Sequence, residues 1–73
     1  MSETEILEIL AKTLEVPSGS ISTEEDLRAA NWDSLADIIF IGAVDDAFDK
    51  TIDPDKLSKC VVAQDFIDLV IAS

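Results

Sequence analysis

Apolar residues recur at helical spacing in three stretches of the chain. In the first, Ile6, Leu7, Leu10 and Leu14 share one face and predict a helix from about Thr4 to Glu15. Ser2 with Glu5 three residues on forms the pattern of a capping box, and Glu3, Glu5 and Glu8 suit the positive end of a helix dipole. Val16-Pro17 stops this helix, because a residue before proline avoids the helical region. In the second stretch Leu35, Ile38, Ile41, Val44 and Phe48 fall at steps of three and four, the seam of a helix that ends near Asp49 or Lys50. Ile39, Phe40 and Ala43 widen the apolar surface beyond that seam, so this helix is either buried on two sides or turned partly toward a partner. Gly42 in its middle costs about 1 kcal/mol relative to Ala. Close packing of another helix over it is the plainer explanation, and room for a bound chain is the other. The third stretch predicts a helix from Val62 or Ala63 to Ile71, with Phe66, Ile67, Val70 and Ile71 inward and Asp65 and Asp68 outward.

The connections are unequal. After the turn chemistry of Pro17-Ser18-Gly19-Ser20 no period is established before Asp33, although Ile21 and Leu27 read as plugs that pin the loop to a core, and Ser22 to Asp26 can start one helical turn. A loop of this length in a small domain tends to be functional. Beyond the second helix, Thr51 to Asp55 forms a turn with Ile52 inward, and Pro54 opens a short helix through Lys59 with Leu57 as its core contact. The fold expected is all-α: a four-helix bundle of three principal helices plus one short helix, with a long loop between the first and second helices, in a single domain over residues 1–73.

Charge narrows the possible partners. Sixteen acids against five Lys and Arg give a net charge of -11, which repels nucleic acid and anionic membrane and suits basic protein patches. With 48% hydrophobic residues the chain can fold unaided, but 73 residues leave no room for a cleft between domains. Cys60 is alone and histidine is absent, which argues against an internal disulfide and against a zinc or haem site, and points to a reducing compartment. Met1-Ser2-Glu3-Thr4-Glu5 lacks an apolar leader core, and no apolar run nears the roughly 18 residues that span a bilayer. The expectation is a cytoplasmic monomer without membrane insertion.

Candidate chemistry lies at Asn31-Trp32-Asp33-Ser34-Leu35, where the polar loop meets the second helix. Ser34 and Asp37 have capping-box spacing, so Ser34 can be simply the cap. If Asp33 takes the cap instead, the hydroxyl of Ser34 is left free for modification. Trp32 reads as a core or loop anchor first and as a ligand contact second. Catalysis by Ser34 is excluded as an expectation, because no histidine is present to serve as its base, and the chain is read as a non-catalytic protein.

At these residues the chain resembles the acyl carrier proteins and their peptidyl carrier relatives, whose motif is Asp-Ser-Leu at the start of the second helix. Here the motif reads Asp33-Ser34-Leu35. The resemblance extends from the first helix and the long loop with Glu25-Asp26-Leu27, through the helix closing on Asp45-Asp46-Ala47-Phe48-Asp49, to Ile52, Pro54 and Phe66-Ile67-Asp68. It implies that Ser34 receives 4'-phosphopantetheine from coenzyme A, through a magnesium-using phosphopantetheinyl transferase, and that the terminal thiol of this arm holds an acyl or aminoacyl group as a thioester. It further implies docking through Asp37, Ile38, Ile41, Asp45, Asp46 and Asp49 onto basic patches of acyl-ligases, acyltransferases and synthase-type enzymes. Departures from the family pattern are Ala36 and Ile39, where fatty-acid carriers usually have acids, Gly42 in place of a larger apolar residue, and a longer link from Leu27 to Asp33. These favour a specialised carrier for fatty-acid, lipid or polyketide-type biosynthesis. An aminoacyl or peptidyl carrier of a nonribosomal-type pathway is the alternative, and an acidic helical interaction module without a prosthetic group is the second alternative.

Overall fold

The computed structural model describes residues 2–17 and 19–73; Met1 and Ser18, the latter within the first expected turn, lie outside them. Among the described residues four helices follow in order: α1 (Glu3–Leu14), α2 (Ser34–Phe48), α3 (Pro54–Leu57) and α4 (Ala63–Ala72). α1 packs on α2 and α4, and α3 bridges α2 and α4, which gives the all-α bundle of three principal helices and one short one.

Local signals set the helix ends. The Ser2 hydroxyl accepts the Glu5 N–H while the Glu5 carboxylate accepts the Ser2 N–H, so the capping box at the start of α1 is present in full. α1 closes before Val16-Pro17 because Glu15 turns left-handed at φ 59. The Val16 N–H then donates to Ala11 O at 3.0 Å and the Glu15 N–H to Lys12 O at 3.2 Å, a paired closure of the last turn. α3 starts at Pro54 behind an Asp53 cap and ends at Leu57, two residues earlier than the sequence suggests. At the far end of α4, the Lys50 ammonium donates to the carbonyl oxygens of Val70 and Ser73.

The long loop is tied down along its length. Ile21 and Leu27 are both buried, as the plugs their pattern suggested. Ser22 to Asp26 makes a hydrogen-bonded turn, Glu25 N–H to Ser22 O, and no helical turn. It is diverted by the start of α4: Asp26 and Val62 form an isolated antiparallel bridge, with Leu27 N–H donating to Val61 O and Ala63 N–H to Glu25 O. A few sheet-like bonds thus replace the helix that this segment's composition allows.

Three expectations about the core and what covers it need correction. The seam Leu35, Ile38, Ile41, Val44 and Phe48 is not the buried face of α2; Ala36, Phe40 and Val44 are buried, while Leu35 is 61% and Ile38 67% exposed. Apolar residues occur all round this helix, so their spacing cannot choose a face. The choice is made by ring packing: Phe40 meets Trp32 and Phe66 edge-on, and all three rings are buried. Likewise Ile71 is 54% exposed, because Phe66, Ile67 and Val70 already fill the inner face of α4. Among the described residues no helix packs over Gly42, and a Cβ there would meet nothing within 4 Å.

Arg28 fastens the loop across the bundle. Its Nε donates to Cys60 O at 2.9 Å, its Nη2 to Leu57 O at 2.8 Å and its Nη1 to Asp37 Oδ1 at 3.2 Å. The guanidinium carbon also sits 5.6 Å from the centroid of the Phe66 ring. Nearby, burial pushes the Cys60 thiol up to about 11 from an ordinary 9.0, with the Asp65 carboxylate adding to the shift.

Replacing Arg28 with Lys is expected to destabilise the fold by about 2 kcal/mol in urea unfolding, because one ammonium cannot reach three acceptors held in a planar fork. Cys60, protonated in the fold, is expected to react slowly with Ellman's reagent at pH 8 until the protein is unfolded. The neutral thiol is favoured in the folded chain, so the stability it contributes is present below pH 9.0 and is lost as pH rises through about 11. Stability measured across that interval should fall more in the wild type than in Cys60→Ala.

Candidate functional site

The loop enters α2 through a sharp turn. Asn31 adopts φ 72, and the Trp32 N–H returns to Leu27 O at 3.2 Å, which drives the indole into the core and leaves Asp33 at the helix mouth. Asp33 then caps α2: its Oδ1 accepts the Ala36 N–H at 2.9 Å. Ser34 becomes the first residue of the helix, exposed, with a hydroxyl that makes no hydrogen bond among the described residues. Of the two ways to start this helix, the structure adopts the one that leaves the serine unengaged.

The capping box between Ser34 and Asp37 does not form because the Asp37 carboxylate is occupied elsewhere. Trp32 Nε1 donates to its Oδ1 at 2.6 Å and Arg28 pairs with it at 3.2 Å. Asp37 is therefore half-buried and drawn inward, its charge opposed by the guanidinium. Ser34 and Leu35 stand in the first turn, where backbone N–H groups have no intrahelical partner and can receive an anion.

The remaining residues singled out from sequence lie along α2. Ile38 is turned outward and Ile41 is half-buried against the core. Asp45 and Asp46 are exposed near the far end of the helix, and Asp49 is exposed just beyond it in a left-handed conformation. The outward side of α2 thus runs from apolar residues Leu35, Ile38 and Ile39 near Ser34, past the open Gly42, to a pair of carboxylates.

Two features escaped sequence reasoning. One is the part played by Arg28, whose only sign was a cation in an acidic loop next to the motif. The other is a groove of about 250 Å³ beside Ser34, where Leu14 and Glu15 from the end of α1 face Asp33, Leu35, Ala36 and Ile39. Nothing in the spacing of those residues announces it, since its two walls are some twenty positions apart in the chain. A larger groove of about 470 Å³, with Ile9, Val16, Ala47 and Phe48 in its lining, lies at the other end of α2, away from the serine.

A family model described as the phosphopantetheine attachment site matches residues 4–70. No curated protein matches the chain. Members of that family hold 4'-phosphopantetheine covalently on a serine, which removes the reading of an acidic module without a prosthetic group. With almost the whole chain inside the match, the protein belongs to the phosphopantetheine-attachment family of carrier domains, and 4'-phosphopantetheine is its prosthetic group.

Proposed function

We propose that the protein is a non-catalytic acyl carrier whose arm is attached to Ser34 and which serves a specialised fatty-acid, lipid or polyketide-type pathway in the cytoplasm as a monomer. The observation that carries this reading is the division of labour at the start of α2. Asp33 satisfies the helix, so Ser34 has no structural duty and its hydroxyl is exposed to a modifying enzyme.

The residues present fit the group. On attachment Ser34 Oγ would give up its proton and bond to the pantetheine-bearing phosphorus of coenzyme A as the pyrophosphate P–O bond breaks and adenosine 3',5'-bisphosphate leaves, and the unpaired N–H groups of Ser34 and Leu35 would offer donors to the phosphate oxygens. The group supplies a thiol on a flexible arm, which holds an acyl chain as a thioester. Trp32 and Asp33 fix the position and direction of the helix start, so that the attachment point sits on a rigid element.

Docking is proposed to use the outward side of α2: Leu35, Ile38 and Ile41 as apolar contacts close to the arm, with Asp45, Asp46 and Asp49 steering basic patches of transferases, ligases and synthase-type enzymes. Asp37 contributes less to this surface, because Arg28 offsets its charge. The apolar portion around Ile38 and Ile39 also suits the second reading, an aminoacyl or peptidyl carrier, and separate loading with acyl-ligases and adenylating enzymes distinguishes the two.

Incubation with coenzyme A, magnesium and a broad-specificity phosphopantetheinyl transferase is expected to add the arm to the wild type, read by intact mass, and to leave Ser34→Ala unchanged. Equal gain by Ser34→Ala, or none by the wild type, contradicts the proposal. In urea, Ser34→Ala should unfold within about 0.5 kcal/mol of the wild type, whereas Asp33→Ala should lose about 1 kcal/mol through the missing cap. Joint replacement of Asp45 and Asp46 by Asn is expected to slow modification about tenfold at low salt, a difference that added salt erases.

A further inference from the structure

The middle of the bundle is filled by aromatic rings. Trp32, Phe40 and Phe66 pack edge-on with ring centroids 4.7 to 5.7 Å apart, and each ring is buried. An acyl chain entering there would have to part these rings and disturb the indole N–H bond to Asp37. Outside the bundle the situation is reversed. Leu35 is the residue after the attachment point, and Ile39 lies one turn further along and is 48% exposed; both line the groove of about 250 Å³ whose far wall is Leu14 and Glu15.

We propose that this groove between the end of α1 and the start of α2 is the resting site of the cargo, and that it selects a short, uncharged acyl chain. The inference rests on Ser34 as the attachment point. Three observations carry it. The tether begins between two residues of the groove wall, Asp33 and Leu35, so an acyl group on the arm is held at an effective concentration of about millimolar and needs little intrinsic affinity. At about 250 Å³ the groove is smaller than the roughly 300 Å³ and upward of sites for drug-sized ligands, so a short chain matches it better than a long one. Two carboxylates, Glu15 and Asp33, stand at the groove with no cation among its lining residues, so a cargo ending in a carboxylate is repelled.

The test uses the full protein labelled at its methyl groups and loaded at Ser34 with the bare arm, a hexanoyl arm, or an arm ending in a six-carbon dicarboxylic half-thioester. Intact mass is read first, since absence of the arm on wild type overturns the attachment reading itself. With the arm present, hexanoyl compared with bare arm is expected to shift the methyl signals of Leu14, Leu35 and Ile39 and to leave Leu57, Ile67 and Val70 unmoved. The carboxylate-ended cargo should produce none of these shifts. Ile39→Gln, a change at an exposed position that should retain the wild-type amide spectrum, is expected to abolish the hexanoyl shifts at Leu14. Shifts confined to Leu57, Ile67 and Val70 would mean that the chain enters the bundle, and no shifts beyond those of the bare arm would mean that it stays in solvent. Either result overturns the proposal, as does an equal response to the charged cargo.

Discussion

The guanidinium of Arg28 reaches three parts of the chain at once: the carbonyl of Leu57 at the end of α3, that of Cys60 before α4, and the carboxylate of Asp37 in the first turns of α2. Its planar fork of donors is what allows one side chain to satisfy acceptors on separate elements. Through Asp37 it also fixes Trp32, whose indole N–H shares the same carboxylate oxygen. Loop, α2 and the link between α3 and α4 therefore meet at a single charged group, partly sheltered and lying against the Phe66 ring. In a domain this small, where the core alone supplies little surplus stability, such a junction carries much of the definition of the fold.

That junction has a chemical consequence a few residues away. Because Asp37 is committed to Arg28 and Trp32, it cannot reach back to complete a capping box with Ser34. The cap falls to Asp33, and the serine is left in the first turn with an unengaged hydroxyl. The same carboxylate, once paired, no longer adds a bare negative charge beside the serine proposed to carry the phosphate. The proposed attachment point is thus left free through a residue that itself carries no cargo.

Much of this was legible in the chain. The capping box of Ser2 and Glu5, the stop at Val16-Pro17, the plugs Ile21, Leu27 and Ile52, and the short helix at Pro54 are local signals, each decided within a few residues, and each is found in the structure. What periodicity could not decide was the buried face of α2. That helix is apolar on nearly every side, and selection of Ala36, Phe40 and Val44 depends on rings contributed by the loop and by α4. The exposure of Ile71 and the openness around Gly42 have the same origin, since both depend on which faces distant elements cover. At the site, sequence left the cap open between Ser34 and Asp33. The tie between Arg28 and Asp37, nine positions apart with no shared helix, was the missing fact.

The central claim is that Ser34, released from structural duty by Asp33, receives the arm. Tryptic cleavage after Arg28 and Lys50 releases residues 29–50, a peptide in which Ser34 is the only residue bearing a hydroxyl. Mass analysis of this digest after enzymatic loading tests the claim most directly. The account predicts that the phosphopantetheine mass appears on that peptide alone. Its appearance on any other peptide, or its absence from all of them, would contradict the account.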